Sequence, residues 1–352
     1  MTELLPFLKQ LISAPGLSGY ETPVRDIIEN AWRPLTDELQ ISRLGSLHGL
    51  HRGSGPEPRH SLMIAAHMDA IGLMVTELVG EFLRVTQVGG VDPRVLLNQP
   101  VTVHGRQELA GVIVKPPAHL LPTGSSHPRN SLGFLLIDTG LEAKEVRRMV
   151  RIGDLVSFSQ PPLELSDEYL AGHSLDNRAS VAALTLCLQE LQSRRSSWDL
   201  WAVATSQEEV TLGGAMTSTF RLRPTLGIVL DVTFAEGPGS PDHLTYPLNK
   251  GPLLSWGPNI HSGMHRALKS LADRLEIPHR LEPIPEFSGT DTIAMQVAAE
   301  GVPTMLVEIP LRYMHTPVEM VSLKDIYRTG RLLAEFTTWL DNTFIDRLSW
   351  DD

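Results

Sequence analysis

Four apolar, strand-like runs in this chain lead directly into residues able to hold a metal ion, and that repeated placement constrains the fold more than any other feature. LMIAAHMD sets His67 and Asp69 after one run, LWAVATSQEE sets Glu208 and Glu209 after a second, LGIVLD sets Asp231 after a third, and VPTMLVEIPLRYMHTP sets His315 after a fourth. In an open α/β sheet, ligands bind in the crevice outside the carboxyl ends of the strands. These six side chains are therefore expected to converge. Asp176, in AGHSLDNRAS just ahead of an apolar helical run, adds the carboxylate that a bridge between two ions would need.

The rest of the pattern agrees with an α/β class. Helical periodicity runs from Thr2 to about Asn30, broken by the loop APGLSGYETP, and a strand pair leads into the turn-rich connection 51–60. From Ile71 to Pro161 the texture changes. LMVTELV, FLRVTQV, QPVTVHG, ELAGVIVK, FLLID and DLVSF are short β-like runs separated by Gly, Pro and Asn, with one short helix, EAKEVRRMV. This predicts a small β-rich domain, residues 71–161, inserted into an α/β domain made of 1–70 and 162–352, with PPLELSD (161–167) as the returning hinge. Beyond the hinge, ASVAALTLCLQELQ, LWAVAT, GGAMTSTFRL and TLGIVL alternate between helix and strand as βαβ units do. The helix MHRALKSLADRLEI, the loop EFSGTD, the helix TIAMQVAAE, the strand TMLVEI and a final long helix complete the series.

Composition narrows the function. With 30 Lys+Arg against 41 Asp+Glu the formal charge is -11, and no basic block is long enough to track a phosphate backbone, so nucleic acid is not an expected partner. The single cysteine, Cys187, lies in the apolar run SVAALTLCLQEL and cannot form an intramolecular disulfide. The segment MTELLPFLKQLIS lacks the basic and apolar regions of a secretory signal, and no apolar stretch reaches the roughly 18 residues of a membrane span. A cytoplasmic protein with no membrane partner is expected.

Each candidate residue also has an ordinary reading. HxD is a common tripeptide, Glu208 and Glu209 could form a solvated acidic turn, Asp176 and Asn177 could cap a helix, Asp231 could end a strand, and His315 could be a surface loop residue. These ordinary readings are independent of one another, whereas a metal centre accounts for all of them together. Adjacent glutamates leaving a strand point in different directions, so one can ligate while the other stays free as a base beside metal-bound water. Three carboxylates with two imidazoles suit Zn²⁺, Co²⁺ or Mn²⁺ rather than a soft metal. A serine-nucleophile mechanism lacks its GxSxG elbow.

In their order and spacing, AAHMDAIG, HSLDNRAS, SQEEVTLGGA, LDVT, EFSGTDT and IPLRYMHTPVE closely resemble the tetrahedral (TET) aminopeptidases, two-metal exopeptidases related to the glutamyl aminopeptidases. The resemblance extends to GLSGYE near the start and IDTGLEAKEV in the inserted segment. It implies that His67, Asp176 and Asp231 hold one divalent ion and that Asp176, Glu209 and His315 hold the other. Glu208 would be the general base of an aminopeptidase using a bridging hydroxide, and Asp69 the partner orienting His67. It also implies a metallopeptidase α/β domain with a mixed central sheet flanked by helices. The inserted barrel-like or PDZ-like domain would serve dimerisation, in homo-oligomers up to a tetrahedral dodecamer that act on peptides. Segment 115–130 is a candidate for reaching a neighbouring active site. Two positions depart from the family pattern: Ala70 replaces a glutamate after HMD, and Gly213 replaces an arginine in VTLGGA. A deacylase or carboxypeptidase on the same scaffold, or a non-catalytic assembly subunit, are the alternatives.

Overall fold

The computed structural model describes residues 3–116 and 132–349. Two helices come first, α1 (Leu4–Ser13) and α2 (Thr22–Trp32), the first burying Phe7, Leu8, Leu11 and Ile12 along one stripe. A hairpin of β1 (Glu38–Ile41) and β2 (Leu47–His51) follows, then β3 (Ser61–His67). From its first to its last residue β3 passes from half-buried to buried, as expected of a strand covered on both faces.

The chain then leaves the main sheet. β4 (Gly72–Val79), β5 (Phe82–Val88), β6 (Pro100–His104), β7 (Glu108–Val114), β8 (Leu136–Asp138) and β9 (Leu155–Phe158) close a six-stranded barrel in the order β4-β5-β8-β7-β6-β9. Closure leaves no free edge in this small unit. Leu73, Val75, Leu83, Val103, Ile113, Ile137 and Val156 fill its core, with Val146 from α3 (Ala143–Met149) packed among them. Most of segment 115–130 lies outside the described residues.

The return to the main sheet is through strands, not a plain hinge. Within 161–167, β10 (Leu163–Leu165) pairs antiparallel with β11 (Tyr169–Gly172) and forms one edge of the sheet. Next come α4 (Leu175–Leu191), β12 (Asp199–Thr205), the one-turn α5 (Glu208–Thr211), α6 (Gly213–Leu222) and β13 (Leu226–Phe234). The last elements are β14 (Leu253–Trp256), α7 (Ser262–Arg274), β15 (Arg280–Pro283), α8 (Asp291–Gln296), β16 (Thr304–Arg312), β17 (Glu319–Ser322) and α9 (Leu323–Trp339). The 11-stranded mixed sheet runs β1-β2-β12-β3-β13-β16-β17-β11-β10, with β14 pairing β16 and β15 pairing β14. Its centre, β12-β3-β13-β16, is parallel, so the carboxyl ends of these four strands lie on one side.

Helix α4 is buried on nearly every face, consistent with its almost unbroken apolar sequence, and packs against α9. A Cβ on Gly330 of α9 would come within 2.6 Å of the Ala183 carbonyl, so the close crossing of these helices requires glycine there. The buried indoles are satisfied: Trp32 donates to Thr185 at 2.9 Å and Trp198 to the Asp341 carbonyl at 3.1 Å. Among the described residues no helix is long and apolar enough to cross a membrane.

Candidate metal centre

β3 ends on His67, and Asp69 follows on the extended exit toward the barrel. The Asp69 carboxylate is fully buried, and its two oxygens accept the backbone amides of Glu208 and Glu209 at 3.0 and 3.2 Å. It thereby caps the first turn of α5 from a distant part of the chain. His67 Nδ1 sits 3.3 Å from the Asp69 carbonyl and 3.6 Å from its carboxylate, leaving Nε2 to face the cluster. The turn from β12 into α5 uses Gln207 at φ 61, whose amide is taken by Glu21, a residue of GLSGYE.

Asp176 stands at the centre of the arrangement. Its Oδ1 is 3.1 Å from His67 Nε2 and its Oδ2 is 3.3 Å from His315 Nε2. Around the first imidazole, Asp231 Oδ1 lies at 3.7 Å and Glu208 Oε2 at 3.8 Å; around the second, Glu209 Oε2 lies at 3.7 Å. The structure therefore brings all the expected side chains into one cluster. One local detail differs from expectation. Asp231 is inside β13 rather than past its end, because that strand continues to Phe234 in register with β16. Glu208 and Glu209 lie past the end of β12, as expected, and head α5. Asp176 makes no side-chain cap to α4; it and Asn177 have non-helical dihedrals, joined by a cis peptide, and Asn177 is held by the Leu230 carbonyl.

Electrostatics show what the cluster lacks. The charged partners of these carboxylates are the two imidazoles; no Lys or Arg pairs with them among the described residues. Burial, with Asp231, Asp291 and Glu209 nearby, pushes the Glu208 carboxyl up to about 10 against the pull of His67. Burial and Asp176 likewise hold Glu209 well above the carboxylate range, and burial raises Asp231. Asp176 is the exception: burial opposes ionisation, but His315 and His67 keep its pKa below the usual value. Burial also opposes charging of His67, yet Glu208, Asp176 and Asp231 raise its pKa well above normal. Among the described residues Glu209 Oε1 is buried without a hydrogen-bond partner. Oxygen and imidazole donors crowded together and short of positive charge are what a divalent cation completes, so the residues present fit such an ion.

Other residues of the site were not singled out from sequence. Glu319, four residues beyond His315, is buried and accepts the amides of Asp176 and His315, each at 3.0 Å. Asp291, in GTDT, accepts from Thr205 at 2.6 Å, has one oxygen without a hydrogen-bond partner among the described residues, and is pushed up to about 7 by burial. Arg178, just after Asp176, is buried and spends its guanidinium on the carbonyls of Met68, Leu11, Ala14 and Gly16, fixing the α1–α2 loop against the exit from β3. Glu308 lies inside the run TMLVEI, where a lone carboxylate in a buried strand was the available signal.

A family model described as M42 glutamyl aminopeptidase matches residues 45–332. The chain belongs to the M42 aminopeptidase family. Lysyl aminopeptidase of Pyrococcus furiosus is 34% identical over 331 residues, covering 92% of this chain and 94% of the relative. The solved TET aminopeptidase of Thaumarchaeota archaeon SCGC AB-539-E09 matches with a TM-score of 0.92 at 26% identity, over 99% of this chain and 100% of that one. The TET1 peptidase of Pyrococcus horikoshii, which can assemble into a tetrahedron or a large octahedral shell, matches with a TM-score of 0.82 at 27% identity, over 96% and 100%.

In this M42 hydrolase the cluster opens into a cavity of about 450 Å³. Its walls come from the main sheet, from the loop Ser288–Thr290, and from the barrel, which contributes Gly90. A Cβ on Gly90 would meet His315 Nδ1 at 2.8 Å, so the barrel loop lies directly against this imidazole. Ala70 lies away from this cavity, bridging Leu17 of the α1–α2 loop.

Proposed function

We propose that the chain is a dinuclear metallo-aminopeptidase that removes N-terminal residues from peptides. The observation that carries this reading is Asp176, whose two carboxylate oxygens each face a different imidazole. On this reading His67, Asp176 and Asp231 hold one divalent ion and Asp176, Glu209 and His315 the other, with Zn²⁺ or Co²⁺, and also Mn²⁺, suited to the donor set. Bound divalent cations supply Lewis acidity toward the scissile carbonyl and ease ionisation of the attacking water.

The protein's own groups do the remaining work. Glu208 stands beside His67, near enough to be a donor with His67 and Asp231; on this reading it stays out of both ion-binding sets, and its Oε2 takes the proton of the attacking water. Water oxygen bonds to the carbonyl carbon, the C–N bond breaks, and Glu208 returns the proton to the leaving nitrogen. Burial, and then the carboxylates around it, raise its pKa, and positive charge in the site would lower that value into a working range. Asp69 positions both glutamates through their amides and His67 through its ring.

The rest of the reading concerns organisation. Residues 71–161 form an inserted dimerisation domain on a catalytic domain of 1–70 and 162–352, in a homo-oligomer with closed symmetry, up to a tetrahedral dodecamer. The assembly of the Pyrococcus horikoshii relative supports this, and light scattering on the purified protein measures it. A cytoplasmic setting fits the single buried cysteine.

The test of the function is hydrolysis of aminoacyl amides by protein stripped with a chelator and then reloaded with Zn²⁺, Co²⁺ or Mn²⁺. Activity that returns with the ion, on free but not acetylated α-amines, is expected. Preference for blocked substrates would favour a deacylase, and cleavage from the carboxyl end a carboxypeptidase. A folded chain with neither bound ion nor hydrolysis would leave only an assembly role.

A further inference from the structure

The cavity that opens from the metal cluster contains two more carboxylates, Glu282 and Glu308, which the reaction above does not use. Both are buried, with exposures of 9% and 4%. Glu308 is on β16, in direct register with Asp231 on the neighbouring β13. Glu282 is on β15, yet it leans back over the sheet far enough to accept from Thr233 of β13 at 2.8 Å. Thr233 is two residues past Asp231 and therefore on the same face of the strand, about 6.6 Å along it. That interval matches an extended lysine stem measured from a backbone held at the cluster.

The bonding of the two groups leaves capacity for a guest. Glu308 accepts from Ser255 at 2.7 Å and Glu282 from Thr233, and the two carboxyls lie against each other; among the described residues neither pairs with a Lys or Arg, and Glu282 Oε2 is buried without a hydrogen-bond donor. Val232, Phe234 and Ile284 line the same cavity. Apolar walls ending in carboxylates suit a side chain that is a hydrocarbon stem with a cationic head. Holding two carboxylates out of water without a cation is costly, and a pocket serving only apolar residues would gain nothing from them.

We propose that Glu282 and Glu308 form a cation-selecting pocket for the side chain of the substrate's N-terminal residue, making lysyl and arginyl peptides the preferred class. This rests on the aminopeptidase reading. The test compares kcat/KM for lysyl and norleucyl amides, which share a stem and differ in the ammonium, in the metal-loaded wild type, Glu282→Gln and Glu308→Gln. The wild type is expected to favour the lysyl amide by about tenfold or more, and each variant to lower that ratio by roughly tenfold. A wild type that favours norleucyl amide overturns the proposal without any variant. So does a loss of both activities at an unchanged ratio, which would assign the pair to the α-ammonium. Failure to cleave any aminoacyl amide would instead overturn the aminopeptidase reading itself, and the pocket with it.

Discussion

Glu319 accepts the backbone amide of Asp176 at 3.0 Å through one carboxylate oxygen. The other oxygen takes the amide of His315, so a single buried residue of β17 ties the head of α4 to the loop after β16. Glu319→Gln preserves volume but turns one acceptor into a donor facing an N–H. Affinity for the divalent ion is expected to fall about 10–100-fold with the fold retained. Calorimetric titration with Zn²⁺, alongside circular dichroism, measures this; unaltered affinity would remove the positioning role.

Glu208→Gln is expected to keep its bound ions while turnover of a leucyl amide drops roughly 10²–10⁴-fold. Elemental analysis and steady-state kinetics on the same preparation separate the two effects. Near-wild-type hydrolysis would require a different base.

The raised carboxyls make a statement about pH. In the metal-free fold burial pushes the Glu208 carboxyl up to about 10, far above the ordinary 4.5, and Glu209 and Asp231 are shifted the same way. Above pH 4.5 the unfolded chain therefore binds fewer protons than the folded one at these sites. The contribution of Glu208 to stability is full below that point and is lost as pH rises toward 10, and those of Glu209 and Asp231 are lost in the same direction. His67, also raised, adds to the loss above 6.5. Bound cations replace those protons, so the gap in melting temperature between Zn²⁺-loaded and chelator-treated protein should widen from about pH 5 to about pH 9. A constant gap across scanning calorimetry runs would show that the cluster does not bind cations in place of protons.

Gly90→Ala brings the barrel into the chemistry. The new methyl group would sit 2.8 Å from His315 Nδ1, so the ring must yield. A displacement of even about 1 Å can cost roughly a hundredfold in kcat/KM. Kinetics on the variant, with thermal melts to show an intact fold, decide whether this loop holds the imidazole in place.

Much of this architecture can be read from local pattern, and the failures have a common cause. β3, β12, β13 and β16 are long apolar runs, and the barrel strands stand out as short β-like runs between Gly, Pro and Asn. By contrast β14, β15 and β17 are four-residue segments of mixed character, and β14 and β17 are held by β16 and β11, which lie far off in sequence. His67, Glu209, Asp231 and His315 could be noticed because each follows an apolar run, and Asp176 because it directly precedes one. Glu319 and Glu282 could not, since their value lies in what they reach across the sheet: two backbone amides for one, a threonine hydroxyl on β13 for the other.

The two strands that flank β3 in the sheet, β12 and β13, both come after the barrel in the chain. During synthesis the apolar segment SLMIAA thus emerges with no partner and must wait for the whole insertion, and then α4, to be translated. Contacts of such long sequence separation form slowly and leave strand edges open to aggregation. The nascent polypeptide is accordingly most vulnerable between completion of the barrel and arrival of β12, the interval in which a chaperone would matter most.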